Sequence, residues 1–135
     1  MKKTVFNTEN LNEMPWFNHG MHLQEVKEFF RVTGICDHTS KHVQKYPNDP
    51  AGQAKQILIY MEEVFTQAGF NKNNIIHIDW AVTKEVSQEQ AFETLKVWED
   101  YISDMDMKPT AGIWKHVDSL IHPDMLVEFE LILAK

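Results

Sequence analysis

The stretch AGQAKQILIYMEEVFTQAGFNKNNIIHIDWAV, residues 51–82, predicts a long amphipathic helix, a turn and a strand. Apolar side chains recur every three or four residues through its first half, which places them on one stripe of a helix. Gly69 stands where a left-handed C-cap favours glycine, residues 71–74 supply turn chemistry, and residues 75–82 are rich in β-branched and aromatic side chains. A helix joined so closely to a strand is expected to pack on the sheet that the strand enters. The stripe consists of Ala54, Ile57, Leu58, Met61, Val64, Phe65 and Ala68.

The rest of the chain predicts the other strands of this sheet. Residues 21–23 and 28–33 are expected to pair as a hairpin around a turn at residues 24–27. Residues 37–49 are polar and contain a Pro-Asn-Asp-Pro cluster, so they predict a surface loop. The predicted strands cover residues 3–6, 21–23, 28–33, 75–82, 111–116 and 125–134.

A second amphipathic helix is predicted after the central strand. Ser87 suits the N-cap and Gln90 stands at the capping-box position, so a helix is expected to continue to residue 102. The order of elements is then β-β-β-α-β-α-β-β within a single domain, residues 1–135. Strands mixed with two helices indicate an α+β fold with both helices on one face of the sheet.

The last predicted strand carries apolar residues on both faces. Alternate side chains of a strand point to opposite faces, so Val127, Phe129 and Leu131 share one face while Glu128 and Ile132 share the other. A strand of this kind is expected to be covered on both sides. Because the helices cover one side, we predict that another copy of the chain covers the other.

Composition and charge exclude several classes of function. The net charge of −7 opposes binding to nucleic-acid phosphates, and the aromatic residues are not interleaved with basic ones. No stretch approaches the roughly 20 apolar residues of a membrane span, and the first residues lack the apolar run of a signal peptide. Cys36 is the only cysteine, which fits a reducing compartment. We therefore expect a cytoplasmic protein that binds neither membranes nor nucleic acid.

Two groups of residues have the chemistry of a reactive site. Glu128 and Glu130 project from one face of a largely apolar strand, where a carboxylate can hold a proton or activate water near neutral pH. The alternative is that they reach solvent or pair with a lysine. Cys36 and His38 follow a predicted turn and could form a thiolate nucleophile, although an isolated cysteine is more often buried and inert.

A metal site is the weaker interpretation of the histidines. His38 and His42 are four residues apart, the spacing at which two histidines on a helix could share a metal ion. No third ligand follows at a useful spacing, and the region predicts a loop. We therefore expect neither a metal nor a cofactor.

Taken in order, these segments resemble the RidA/YjgF family, also called the L-PSP endoribonuclease family. No single motif carries the resemblance, which rests on the ordered set. The similar segments are residues 29–34 (ending in Thr-Gly where the family has Ser-Gly), 53–70 (its first helix), 76–82 (its central strand), and 108–110 with 127–130 (its C-terminal hairpin).

The resemblance implies a chorismate-mutase-like α+β fold and a homotrimer with clefts between its subunits. The family's known activity is hydrolysis of enamines and imines, such as 2-aminoacrylate, to keto acids and ammonia, while some members are described as ribonucleases, chaperones or translation inhibitors. By position, Glu128 would be linked to the attacking water and Lys108 would hold a small anionic metabolite. The other residues predicted to bind the ligand are Trp16, Gly34, Cys36, Lys96 and Thr110.

The chain departs from the family's active pattern at several of these positions. Lys108 stands where the family has a carboxylate-binding arginine, and a lysine lacks the planar two-pronged donor that grips a carboxylate. Trp16 replaces another aromatic residue, Lys96 replaces an asparagine, and the connection after Trp114 is longer. The sequence therefore leaves two classes of function open: an enamine or imine deaminase, and a non-enzymatic trimer that binds a small ligand or a protein in the same clefts.

Overall fold

Two helices pack on one face of a mixed β-sheet in the computed structural model, which describes residues 1–38 and 44–135. The elements are β1 (Lys2–Phe6), β2 (Gly20–Gln24), β3 (Phe29–Ile35), α1 (Pro50–Gln67), a 3-10 turn (Lys72–Asn74), β4 (Ile75–Thr83), α2 (Gln88–Ile102), β5 (Thr110–Ala111), β6 (Lys115–Val117) and β7 (Val127–Ala134). The predicted α+β fold is confirmed. The segment predicted as one strand at residues 111–116 is divided into β5 and β6.

Both helices begin with a capping side chain, and that of α2 was predicted from the sequence. The Asp49 side chain accepts a 3.0 Å hydrogen bond from the Gly52 amide at the start of α1. At the start of α2, the Ser87 and Gln90 side chains each bond the other's backbone amide, which completes the predicted capping box. Gly69 has a φ of +76° just beyond α1, where a Cβ would be strained, so the helix ends there and the chain turns into β4.

The core lies between the helices and the sheet. Met61 and Phe65 of α1 are fully buried with Leu131 of β7, as predicted for the stripe. Trp98 of α2 is also fully buried, and burial of one such aromatic side chain stabilises the fold by about 1.5–3 kcal/mol. Two positions of the predicted stripe, Val64 and Ala68, are exposed, although Phe65 between them is fully buried.

The main sheet has the strand order β3-β7-β4-β5, with β6 also paired to β4. β7 is antiparallel to both β3 and β4, while β5 and β6 run parallel to β4. The two central strands are therefore β7 and β4. β5 and β6 lie on the opposite side of β4 from β7, so the segments at residues 110–117 and 127–134 do not pair as a hairpin.

The predicted hairpin between residues 21–23 and 28–33 is wrong. β2 pairs with β1 in a separate two-stranded ribbon, and β3 pairs with β7. The chain changes direction at Glu25, which has a positive φ of 56°, and the Glu28 amide then bonds the Lys135 carbonyl at 2.8 Å. The long apolar β7 offers β3 a better partner than the short β2, and a local sequence pattern cannot reveal that choice.

The face of the sheet opposite the helices is more polar than the largely apolar sequence of β7 suggests. It carries Arg31 from β3, His77 and Asp79 from β4, and Glu128 and Glu130 from β7, all of them partly or fully accessible. Apolar side chains on this face include Phe29, Ala81, Ile132 and Ala134. This polar face is where the candidate site lies.

Part of the predicted surface loop at residues 37–49 is anchored in the interior. Asp37 is fully buried, and its carboxylate accepts hydrogen bonds of 3.1 Å and 2.7 Å from the amides of Lys45 and Tyr46. His42, proposed above as half of a metal pair, lies outside the described residues. None of the helices in the described ranges is long and apolar enough to cross a membrane.

Candidate functional site

A cavity of about 90 Å³ opens on the polar face of the sheet, and Glu128 is one of its walls. Since one water molecule takes up about 30 Å³ in the liquid, this space suits a few waters or a metabolite with few heavy atoms. Its lining comes from the four strands β3, β4, β6 and β7. The lining residues are Gly34, Asp79, Trp80, Ala81, Lys115, Glu128, Phe129 and Glu130.

The register of the strands explains why the cavity lies at this point. Ala81 of β4 is opposite Glu128 of β7 on one side and opposite Lys115 of β6 on the other. These residues form one row across three strands, in which the Glu128 and Lys115 backbones are about 10 Å apart. The small alanine side chain leaves the middle of the row open between a carboxylate and an ammonium group.

Two ion pairs flank the cavity and use most of its charged groups. The Lys115 ammonium contacts Oδ1 of Asp79, and this hydrogen bond holds the pKa of Asp79 below its ordinary value. The Arg31 guanidinium lies 3.1 Å from Oε1 of Glu130. Glu128, between them, makes no ion pair with any residue in the described part of the chain. It is therefore the carboxylate left to meet a ligand or water.

Oε1 of Glu128 rests against the end of β3. The Cys36 thiol donates a 3.6 Å hydrogen bond to this oxygen. A Cβ added at Gly34 would lie 3.0 Å from the same oxygen, which is a tighter contact than side chains ordinarily make. The absence of a side chain at Gly34 therefore leaves room for the Glu128 carboxylate.

The Cys36 thiol is held in its protonated form. Burial, and then the charge and hydrogen bond of Glu128, together raise the pKa of Cys36 to about 12. Because the thiolate is the reactive form of cysteine, this environment opposes the predicted role of Cys36 as a nucleophile. The residue acts here as a hydrogen-bond donor.

Lys108 lies in a different groove from Glu128. Its ammonium donates a 3.1 Å hydrogen bond to the carbonyl of Met14. The groove around it, about 270 Å³, is lined by Pro15, Met105 and the end of α2, and it shares no residue with the Glu128 cavity. A single chain therefore does not bring together the two residues predicted to act in catalysis.

Trp16 packs beside α2, and Lys96 lies within it. The Trp16 carbonyl accepts a 2.9 Å hydrogen bond from Nε1 of the buried Trp98, and the Trp16 ring centroid lies 6.2 Å from that of Phe92. The Lys96 ammonium pairs with Asp100 at 3.1 Å on the exposed face of the helix. Neither residue reaches the Glu128 cavity, and their predicted ligand contacts stay predictions.

Thr110 lies on the polar face, but farther along the sheet. It is opposite His77, whereas Glu128 is opposite Ala81. Four residues of strand, roughly 13 Å, separate those rows. The Thr110 hydroxyl donates to the Ile76 carbonyl at 3.1 Å and so accepts the 2.8 Å bond from Nδ1 of His77. His77 is thus a hydrogen-bonded histidine of the sheet.

The histidines near the loop contact each other. The ring centroids of His38 and His122 are 4.9 Å apart. In residues 1–38 and 44–135, no group of three or more His, Cys, Asp or Glu side chains is arranged to hold a metal ion.

Asp79 and Lys115 were not identified from the sequence, although they define one wall of the cavity. The alternation along β4 does place His77, Asp79 and Ala81 together on one face, so Asp79 could have been found by its period of two. Lys115 had no such signal, because its position depends on the break between β5 and β6.

Comparison with known proteins connects this geometry to one fold. No family model matches the chain, and no curated protein matches it. Among solved structures, the chain is similar to YyfB of Yersinia pestis, a protein of unknown function of the conserved Rid protein family, with 18% identity, a TM-score of 0.87 and full coverage of both chains. The chain has the Rid/YjgF fold.

Two further structures agree with the Rid/YjgF fold at lower similarity. A YjgF family member from Mycobacterium tuberculosis has 16% identity and a TM-score of 0.63, over 99% of this chain and 100% of that one. A putative endoribonuclease from Thermotoga maritima has 14% identity and a TM-score of 0.67, over 91% of this chain and 94% of that one. The predicted resemblance is thereby confirmed at the level of the fold.

Proposed function

We propose that this chain is a divergent Rid/YjgF-family enzyme that hydrolyses small imines or enamines, such as 2-aminoacrylate, in clefts between three copies. The observation that carries the proposal is the environment of Glu128. Its carboxylate lines a small cavity and has no ion-pair partner in the described residues. The full-length likeness to Rid-family structures supports the same reading of the site.

Glu128 would act as the general base. An enamine first takes up a proton at carbon to give the iminium ion. Water then adds to the iminium carbon while the Glu128 carboxylate accepts the water proton, which forms a carbinolamine. That proton passes to the nitrogen, the C–N bond breaks to release ammonia, and the ammonia takes up the hydroxyl proton, so the products are a carbonyl compound and ammonium.

The charges around the cavity suit the positive centre of this reaction. Asp79 and Glu130 are matched by Lys115 and Arg31, which leaves the charge of Glu128 to stabilise an iminium ion beside it. Lys115 stands across Ala81 from Glu128 and could attract a substrate carboxylate while it stays paired with Asp79. Lys108 could reach a Glu128 carboxylate only from a neighbouring copy in the proposed trimer.

The proposed trimer would cover the polar face of the sheet. Phe29, which is 64% exposed, lies on that face in the same register row as Ala134. Burying this ring against another copy would be favourable. Sedimentation equilibrium at micromolar concentration should give about three times the chain mass of 15.8 kDa. A single-chain mass would contradict the trimer.

Release of ammonia and keto acid tests the enzymatic proposal. With 2-aminoacrylate generated enzymatically in the assay, the protein should form pyruvate faster than spontaneous hydrolysis does. A rate equal to the spontaneous one, with this imine and with imines of other small amino acids, would contradict the proposal.

A second candidate function is binding without turnover. One observation favours it: the Lys108 ammonium, which stands at the family's arginine position, bonds the Met14 carbonyl in a separate groove. The protein would then hold a small metabolite in the Glu128 cavity of the trimer. Isothermal titration showing binding of pyruvate, together with no acceleration of imine hydrolysis, would support this candidate over the first.

A further inference from the structure

Glu128 and Glu130 share one face of β7 but have different partners. Glu130 accepts from the Arg31 guanidinium at 3.1 Å, a charge-assisted bond that neutralises it. Glu128 accepts from the Cys36 thiol at 3.6 Å. A neutral S–H group is a weak donor, so it can orient a carboxylate without cancelling its charge.

The thiol and Gly34 act on the same oxygen of Glu128. Cys36 bonds Oε1, and a Cβ at Gly34 would lie 3.0 Å from Oε1. Both contacts come from the end of β3 and the residue that follows it. Oε2 has no hydrogen bond from any residue in the described ranges, so one oxygen of Glu128 is held and the other stays available.

We propose that Cys36 is a positioning residue, whose thiol hydrogen bond fixes the Glu128 carboxylate with Oε2 free to accept a proton from water. This inference rests on the function proposed above, and it adds to that function a defined role for the single cysteine. The thiol keeps its proton and undergoes no covalent step. Its contribution is to limit the rotation of a carboxylate that no cation among residues 1–38 and 44–135 holds.

The S–H stretching band in the infrared spectrum tests this contact directly. Because Cys36 is the only cysteine, the band belongs to one group. In the wild-type protein it should lie at lower frequency than in an unbonded thiol, and Glu128→Ala should move it back toward the unbonded value. Glu130→Ala is the matched control on the same face and should leave the band in place. A band unmoved by Glu128→Ala would overturn the proposal.

Kinetics separate positioning from a structural role. Cys36→Ala should lower kcat roughly 2- to 10-fold, as expected for the loss of one weak hydrogen bond, with KM nearly unchanged. Cys36→Ser, whose hydroxyl can donate to Glu128, should recover most of that loss. A folded Cys36→Ala variant with wild-type kcat would contradict the positioning role. If no imine is hydrolysed at all, the proposed function fails, while the infrared comparison still decides whether Cys36 holds Glu128.

Discussion

A Cβ added at Gly112 would lie 2.6 Å from Oδ1 of Asp79, closer than real side chains approach. The backbones of the two residues cannot easily move apart. The Gly112 amide bonds the Ile78 carbonyl at 2.8 Å, and its carbonyl accepts from Nε1 of Trp80 at 3.2 Å. Asp79 in turn receives a 3.0 Å bond from the Trp80 amide. This close approach sets the wall of the cavity that carries Lys115.

Gly112→Ala should therefore displace the Asp79 carboxylate and separate it from Lys115. Because Oδ1 ends a side chain that is 46% exposed and can rotate away, the cost should be about 0.5–1.5 kcal/mol, the worth of one lost hydrogen bond, which chemical denaturation would measure as a lower free energy of unfolding. Gly20→Ala is the matched control, since its Cβ would lie at an ordinary 3.6 Å from the nearest atom, the Phe6 carbonyl oxygen. Equal stability of the two variants would show that Asp79 is not confined.

Trp98→Phe should destabilise the fold more than Trp114→Phe. Trp98 is fully buried and donates to the Trp16 carbonyl at 2.9 Å, so the change leaves both a void and a partly buried carbonyl without its donor. We expect a loss of about 2–4 kcal/mol. Trp114 is only half-buried and donates to the His116 ring, so its variant should lose less than about 1.5 kcal/mol. Urea unfolding curves of both variants would compare these losses.

The reactivity of Cys36 should rise with pH far beyond the range of an ordinary thiol. Because burial and then Glu128 raise its pKa to about 12, alkylation by iodoacetamide should increase about tenfold per pH unit and should not level off below about pH 11. Glu128→Gln removes one of the causes and should speed alkylation at pH 8 several-fold. A wild-type rate that levels off near the ordinary thiol value of 9.0 would contradict this environment.

Stability should fall as the pH drops below the ordinary histidine value, partly because of His77. Burial lowers the pKa of His77 from 6.5, outweighing Asp79 and Glu130, which raise it. The unfolded chain therefore binds a proton more readily than the folded one as the pH falls through 6.5. Stability decreases as the pH falls through that window. At higher pH the residue is neutral in both states and contributes no such loss.

His77→Gln should flatten that part of the pH profile. The variant cannot titrate, so the difference in unfolding free energy between about pH 7.5 and about pH 5.5 should be smaller than in the wild type. Urea unfolding at fixed protein concentration measures both values. A steeper decrease in the variant would mean that the folded protein favours the protonated His77.

The sequence was sufficient to predict the elements whose signals are local. The apolar spacing of α1, the glycine at 69 and the Ser87 capping box each depend on neighbouring residues only, and all are present. Strand pairing failed where it depended on distant segments. β2 and β3 are close in sequence, but β3 pairs with residues near the end of the chain.

The candidate site could be predicted only in part, because it also depends on how distant strands pair. Gly34, Cys36 and Glu128 are brought together because β3 and β7 are neighbours, whereas Lys108 lies in another groove. The Lys115–Asp79 pair joins residues 36 positions apart across parallel strands, and composition gives no indication of such a contact. Opposite charges on two strands become predictable only when the register is known.

The rate of imine hydrolysis by Glu128→Gln tests the central claim most directly. The amide keeps the size of the side chain but cannot accept a proton from water, so kcat for 2-aminoacrylate should fall by about 100-fold or more. Glu93→Gln removes the same charge from the exposed face of α2 and should keep the wild-type rate. A folded Glu128→Gln protein as active as Glu93→Gln would contradict the account.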